Sequence, residues 1–187
     1  MRNLWIALLM LSGVISAQTP CPQWGDATKG SLVYALNMKK NRVDSPKEYK
    51  EIAITDFLAF PDDSTGDGAA CHLSGGYVIE VKQQGAESCN CKSTSDRDFH
   101  IVVVPSPGDK GNKSKYVIVE ITPRMRKLNN WSEPDILGLL DQRVDFYGYK
   151  FADLEHKNES VKSNPDRKSC WRGSINEIHP VIKFVKL

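Results

Sequence analysis

No apolar run in this chain is long enough to cross a bilayer; the stretch from Leu4 to Val14 falls well short. An excess of charge is also missing, with 25 Lys and Arg against 23 Asp and Glu. That balance disfavours non-specific nucleic-acid binding, which needs a strongly basic face. The only basic cluster is Arg124-Met125-Arg126-Lys127. There is no Gly-rich phosphate loop, no nucleophile elbow around a serine, no His-Glu-x-x-His and no Cys-x-x-Cys. Internal repeats and low-complexity tracts are absent as well.

What is present begins with an export signal. Arg2 supplies a positive charge, the short apolar run follows, and Ile15-Ser16-Ala17 is a cleavage motif, so residues 1–17 read as a signal peptide. The first cysteine, Cys21, does not directly follow the cleavage point, which argues against a lipoprotein. Trimming leaves 170 residues, enough for one domain with a core, and 24 basic against 23 acidic groups. A secreted or periplasmic protein is expected.

All five cysteines (Cys21, Cys71, Cys89, Cys91, Cys170) fall in the mature part. In an oxidising compartment the expectation is at most two disulfides and one free thiol, with Cys89 and Cys91 turned to different partners. A metal site with His72 or His100 is the alternative, but structural zinc normally uses cysteine pairs spaced by two to four residues. Asn112, Asn130 and Asn158 stand in Asn-x-Ser/Thr sequons.

Residues 18–70 read as an N-terminal extension: an irregular start, a short helix over Leu32, Ala35, Leu36 and Lys39 that ends near Asn41, strand-like residues at 52–54 and 57–58, and an Asp/Gly loop. Residues 71–187 carry the regular pattern. Strands are expected at 76–82 (with Tyr77, Ile79 and Val81 on one face), 98–104, 115–122, 143–151 and from 175 to the end. The third is almost wholly apolar and β-branched, as for a strand buried on both faces. Between the third and fourth lies a helix: Ser132 is the N-cap, Pro134 lies in the first turn and Asp135 completes a capping box. Strand-strand-strand-helix-strand-strand is the order of an OB barrel. The expected fold class is therefore all-β with one helix, an OB-like five-stranded barrel behind an N-terminal extension. Gly148 in mid-strand fits a tight bend in such a barrel. The Asp, Arg and Glu motif of staphylococcal-nuclease-type OB enzymes is not found, which weakens a nuclease reading.

The stretches Ala35 to Arg42, Gly-Tyr-Val-Ile-Glu-Val-Lys, Glu-Ser-Cys-Asn-Cys, Asp-Arg-Asp-Phe-His, Val-Ile-Val-Glu-Ile-Thr-Pro-Arg, Gly-Tyr-Lys-Phe-Ala-Asp-Leu-Glu-His and Asn-Glu-Ile-His-Pro-Val together resemble a family of uncharacterised exported bacterial proteins. The resemblance runs from about Gly25 onward. It implies location and architecture, since that family carries no established activity. Relatives tend to have Trp where this chain has Asn176, so a binding surface shaped by that Trp would be altered here.

The chemistry concentrates on the last strand, where Glu177 and His179 share a face. His100 shares one with Asp98, Val102 and Val104, and adjacent strands can bring it to Glu120. Asp153 and His156 lie in the turn after the fourth strand. His100, Glu120, Asp153, His156, Glu177 and His179 are the candidate catalytic set, and His100, His156, Glu177 and His179 the candidate metal ligands, for zinc or manganese. The competing and favoured role is a set of hydrogen-bonded clasps tying loops to barrel, in which case no cofactor is needed. Arg124 and Arg172 are candidates for holding an anion. Trp171 is either a stacking platform, as OB folds use for bases or sugars, or a core plug. Two functions follow: a binding module for a saccharide, peptide or nucleic acid on one barrel face, by analogy with the fold, or a metal-dependent hydrolase.

N-terminal sequencing of protein recovered outside the cytoplasm is expected to begin near Gln18; an intact Met1 there would contradict the signal peptide.

Overall fold

The computed structural model describes residues 20–187; the expected signal peptide lies outside the described residues. The elements in chain order are α1 (Leu32–Lys40), β1 (Lys50–Ala53), α2 (Ile54–Ala59), β2 (Ala70–Gln83), β3 (Phe99–Val104), β4 (Val117–Ile121), α3 (Pro123–Asn129), α4 (Glu133–Leu137), β5 (Arg143–Ala152) and β6 (Asn176–Lys186). No helix among the described residues is long and apolar enough to cross a membrane.

The strands form one sheet in the order β1-β2-β3-β4-β6-β5, and β5 pairs back onto β2. Five strands thus close a barrel, with β4 and β6 parallel and the other barrel pairs antiparallel. This is the expected OB-like barrel. β3 pairs with β2 only as far as Tyr77, and β1 lies parallel to β2 along Cys71–Ser74. The barrel interior is apolar: Leu73, Val78, Phe99, Ile101, Val103, Val117, Val119, Ile121, Val144, Phe146, Ile178 and Val181 pack together, with Ile136 and Leu139 plugging one end.

Several elements differ from the expectation for local reasons. Residues 57–58 are helical, because Ile54 and Phe57 sit one turn apart and are both buried against the barrel. The single expected helix between β4 and β5 is accompanied by α3, whose N-cap Thr122 accepts a hydrogen bond from the Met125 amide, with Pro123 in its first turn. In α4 the Ser132–Asp135 capping box is present. Tyr77, Ile79 and Val81 do not form one buried face: the register with β3 slips between Val78 and Glu80, so Val78 points into the barrel and Val81 rejoins it after the bulge. A second slip, between Leu73 and Gly76, is accommodated by Gly75 at φ +64°. Gly148 does serve a tight spot. A Cβ there would lie 2.3 Å from the Pro180 carbonyl oxygen and 2.5 Å from Ile178, and the pairing with β6 shifts register on both sides of it.

One disulfide joins Cys21 to Cys91 and ties the start of the extension to the β2–β3 loop. Cys89 and Cys91 do have different fates, but the expected single free thiol is corrected to three: Cys71, Cys89 and Cys170 are all free and buried. Neither expected metal partner joins them. His72 pairs with Asp145 at 3.0 Å, and Cys89 has Glu87 and Asp98 as its neighbours. The extension is fastened further by Asn41, which donates to the Cys89 and Gln23 carbonyls, and by Asn37, which donates to the Trp24 carbonyl and Ser88.

Thiol titration in denaturant without reductant is expected to count three reactive groups. Reducing the Cys21–Cys91 bridge should cost about 2–4 kcal/mol in urea melts, since it removes a constraint on a long loop of the unfolded chain. A count of one thiol would contradict the pairing.

Candidate functional site

Because side chains alternate along a strand, the residues between the interior positions of β3, β4 and β6 point outward. In most barrels they would be wet. Here they are buried, since the N-terminal extension, the β2–β3 loop (residues 84–98) and the β5–β6 loop (residues 153–175) lie over them. Asp98, His100, Glu120, Asp153, Arg172, Glu177 and His179 are each at most 4% exposed. Strict alternation along β6 would put Val181 on the same face as Glu177 and His179. In the structure Val181 enters the barrel core while Glu177 and His179 belong to this outer, buried polar layer.

Arg172 anchors the layer. Its guanidinium donates to Glu177 Oε2 at 2.5 Å and to the Ser174 carbonyl at 3.1 Å, and lies 3.5 Å from Asp153. Burial and neighbouring Asp153 push Glu177 upward, but Arg172 and His179 outweigh them and hold its pKa below the usual value. Arg172 is 1% exposed and its partners are carboxylates of this chain, so it does not offer a fork to an anionic ligand as expected. Arg124 is likewise occupied, donating to the Cys21 and Pro22 carbonyls. The basic cluster around it is spent in the same way, with Arg126 on the Arg97 carbonyl and Lys127 on Asp96. No bare basic stripe results.

The strand register brings His100 directly opposite Glu120, as adjacency allows, with Nε2 3.7 Å from Oε1. Burial pushes the His100 pKa down to about 3, so the ring is neutral near neutrality. His179 lies deeper. Its Nδ1 is 3.0 Å from Glu177 Oε1 and 3.3 Å from Glu120 Oε2, and its Nε2 is 3.9 Å from Asp98 Oδ2. Burial raises both Glu120 and Asp98, Glu120 further because Glu177 is close by. Lys40 of α1, 6% exposed, reaches in from the extension to within 3.7 Å of Glu87; burial opposes its charge, but that carboxylate and others nearby raise its pKa.

His156 stands apart from this layer. It is 40% exposed, pairs with Asp153 at 2.7 Å and does not meet His179. The six candidate acids and histidines therefore split: Glu120, Glu177 and His179 converge, with His100 beside them, whereas Asp153 and His156 form a separate pair bridged to Glu177 through Arg172. Sequence reasoning passed over Asp98, Lys40 and Glu87 as site residues. Asp98 had a signal, sharing a face with His100. Lys40 and Glu87 had none, because they arrive through the extension and a loop.

Trp171 is not a core plug. Its indole is half-buried on the outer surface, edge-on to His100 with centroids 5.1 Å apart, with Lys82 Nζ 5.5 Å from the ring and its Nε1 donating to Glu159 at 2.6 Å. Asn176 is fully buried and donates to the Pro61 carbonyl and Ser174, so its side chain contributes to no open surface. The chain matches no family model, no curated protein and no solved structure.

Asp153 raises the pKa of His156 by accepting its hydrogen bond, more than burial lowers it. The pair's contribution to stability is therefore complete below the unfolded histidine value near 6.5 and is lost as pH rises through the higher folded value. An NMR titration should place His156 above 6.5, and Asp153→Asn should lower it; an unchanged midpoint would refute the pairing.

Proposed function

We propose that the chain is an exported OB-like binding module that takes its ligand on the outer face of β2 and β3, at Trp171. One observation carries the reading: the partly exposed indole, on the β5–β6 loop, lies against His100 and beneath Lys82. OB barrels bind oligonucleotides and oligosaccharides on the adjoining face of their second and third strands, here β3 and β4, and on the loops beside it, by stacking rings on aromatic side chains. Around Trp171 stand Lys82, His156 and Glu159, a mixed set of donors and acceptors on an open rim. The near-zero net charge and the engaged basic cluster favour a saccharide or peptide over a nucleic acid. Export is supported by the Cys21–Cys91 disulfide, which belongs to an oxidising compartment, together with the signal-like start of the sequence. The resemblance to exported bacterial proteins is consistent with this reading.

The hydrolase reading has a convergent set of carboxylates and imidazole in its favour, but those atoms have no opening to a substrate. Glu177 is 0% exposed and His179 1%. Two open clefts, one lined by Lys50, Asp56 and Ser74 and one by Arg126, Asn130 and Trp131, include none of these residues. A binding role is therefore preferred.

A screen of oligosaccharides and peptides by Trp emission, in a variant with Trp24 and Trp131 changed to Phe, is expected to find a ligand that shifts the Trp171 signal. Trp171→Ala should weaken that ligand about tenfold or more, in line with roughly 1–3 kcal/mol per stacked ring. Binding that survives Trp171→Ala unchanged would move the site elsewhere.

A further inference from the structure

We propose that Asp98, Glu120 and His179 form a buried site for one divalent transition-metal ion, of the zinc or manganese class, that holds β3, β4 and β6 together beneath the N-terminal extension. One ligand atom from each lies within 4.8 Å of the other two. An ion bound by all three at about 2.0–2.2 Å would draw these atoms closer together. One imidazole with two carboxylates suits a borderline cation; the soft sites of copper(I) use thiolates and thioethers.

An acidic cluster alone would not single out a metal. The pointer is that its best donor atoms are buried and bare. His179 Nε2 is sealed from solvent and hydrogen-bonded to nothing in the protein, and Glu120 Oε2, equally sealed, has only His179 Nδ1 at 3.3 Å beside it and accepts no hydrogen bond from it. Asp98 spends Oδ1 on the Asn90 amide at 3.1 Å, whereas Oδ2 has only the Cys89 thiol at 3.8 Å and His179 Nε2 at 3.9 Å. At 3.9 Å the imidazole and carboxylate are too far apart to hydrogen-bond, yet near the separation of two ligands on a shared cation.

The arrangement behind His179 supports the same assignment. A metal-binding histidine almost always donates its other ring N–H to a carboxylate or carbonyl, which fixes the tautomer and the ring. Nδ1–H of His179 donates to Glu177 Oε1 at 3.0 Å, and Arg172 holds Glu177 Oε2 at 2.5 Å. With the proton on Nδ1, the Nε2 lone pair points toward Asp98. Glu177 and Arg172 thus act as positioning residues and are not ligands, and of the four histidine and carboxylate ligands expected from the sequence only His179 is retained. The neighbouring set of Glu87, Cys89 and Asp98 is less suited, because burial pushes the Cys89 thiol strongly up and Glu87 is drawn to Lys40. The metal site does not depend on the ligand reading at Trp171.

Full-length mature protein is dialysed against zinc or manganese, passed through a desalting column and assayed by elemental analysis. About one equivalent of one of them is expected, with a chelator lowering Tm and re-addition restoring it. Asp98→Asn and Glu120→Gln, which preserve shape, should each remove most of the metal. Glu177→Gln should weaken it some 10–100-fold by freeing the ring, while His72→Ala and His156→Ala retain it. Metal-free wild type with a Tm indifferent to chelator would overturn the proposal and leave the two acids sharing a proton. Full loading of Asp98→Asn would also overturn it, by assigning the metal to a surface site.

Discussion

A carboxylate without access to water must be answered by a positive charge or by a proton, and Glu177 is answered by Arg172. Both are essentially unexposed, although Glu177 lies on the outer side of β6, where strand geometry would leave it wet, and Arg172 on the loop before it. Removing two such charges from water costs several kcal/mol each, repaid only where the remaining donors and acceptors are also matched. Arg172 meets that condition through Glu177, Asp153 and the Ser174 carbonyl. The loop that carries it must then hold one path. It is pinned by Asp62, whose two carboxylate oxygens accept from Ser160, Ser163 and Ser174 and from the Ile175 amide. The ion pair and the loop that buries it therefore depend on each other.

The extension acts on the opposite side of the same layer. The disulfide fixes Cys21 beside the β2–β3 loop, Asn37 and Asn41 satisfy that loop's backbone and Ser88, and Lys40 enters the acidic layer next to Glu87. Residues 18–70 read in sequence as a lead-in to a barrel. In the structure residues 20–70 add β1 to the edge of β2 and lay α1 over the β2–β3 loop, helping to cover the polar layer.

This division explains what the sequence made legible. The five barrel strands and their order were readable because each interior face is a run of alternating or β-branched apolar residues, and α4 because Ser132 and Asp135 are a local capping pair. Adjacency of His100 and Glu120 was readable too, since neighbouring strands with few bulges can be aligned by eye. The bulges were not. Slips at Ile79, Gly75 and Gly148 exchange inward for outward positions, and each depends on partners distant in sequence. The occupation of Arg124 and Arg172 was hidden because their partners, too, are set by the fold. Arg124 spends its guanidinium on carbonyls about a hundred positions away, and residue type alone cannot distinguish that use from an open anion site.

Covering the outer face of β3, β4 and β6 has a consequence for recognition. An OB barrel ordinarily presents its second and third strands, here β3 and β4, to a ligand. In this chain Glu120 of β4 and most of His100 are withdrawn beneath the loops, and what remains of the face is its edge, where Trp171 abuts His100 and Lys82 of β2. Trp171 adjoins Arg172 in sequence, with its ring centroid 5.3 Å from that guanidinium. The same loop thus points one side chain inward to neutralise the buried acids and the next outward to solvent. The rim and the buried layer are two sides of a single short segment, Trp171–Arg172, whose outward indole is itself held by Glu159.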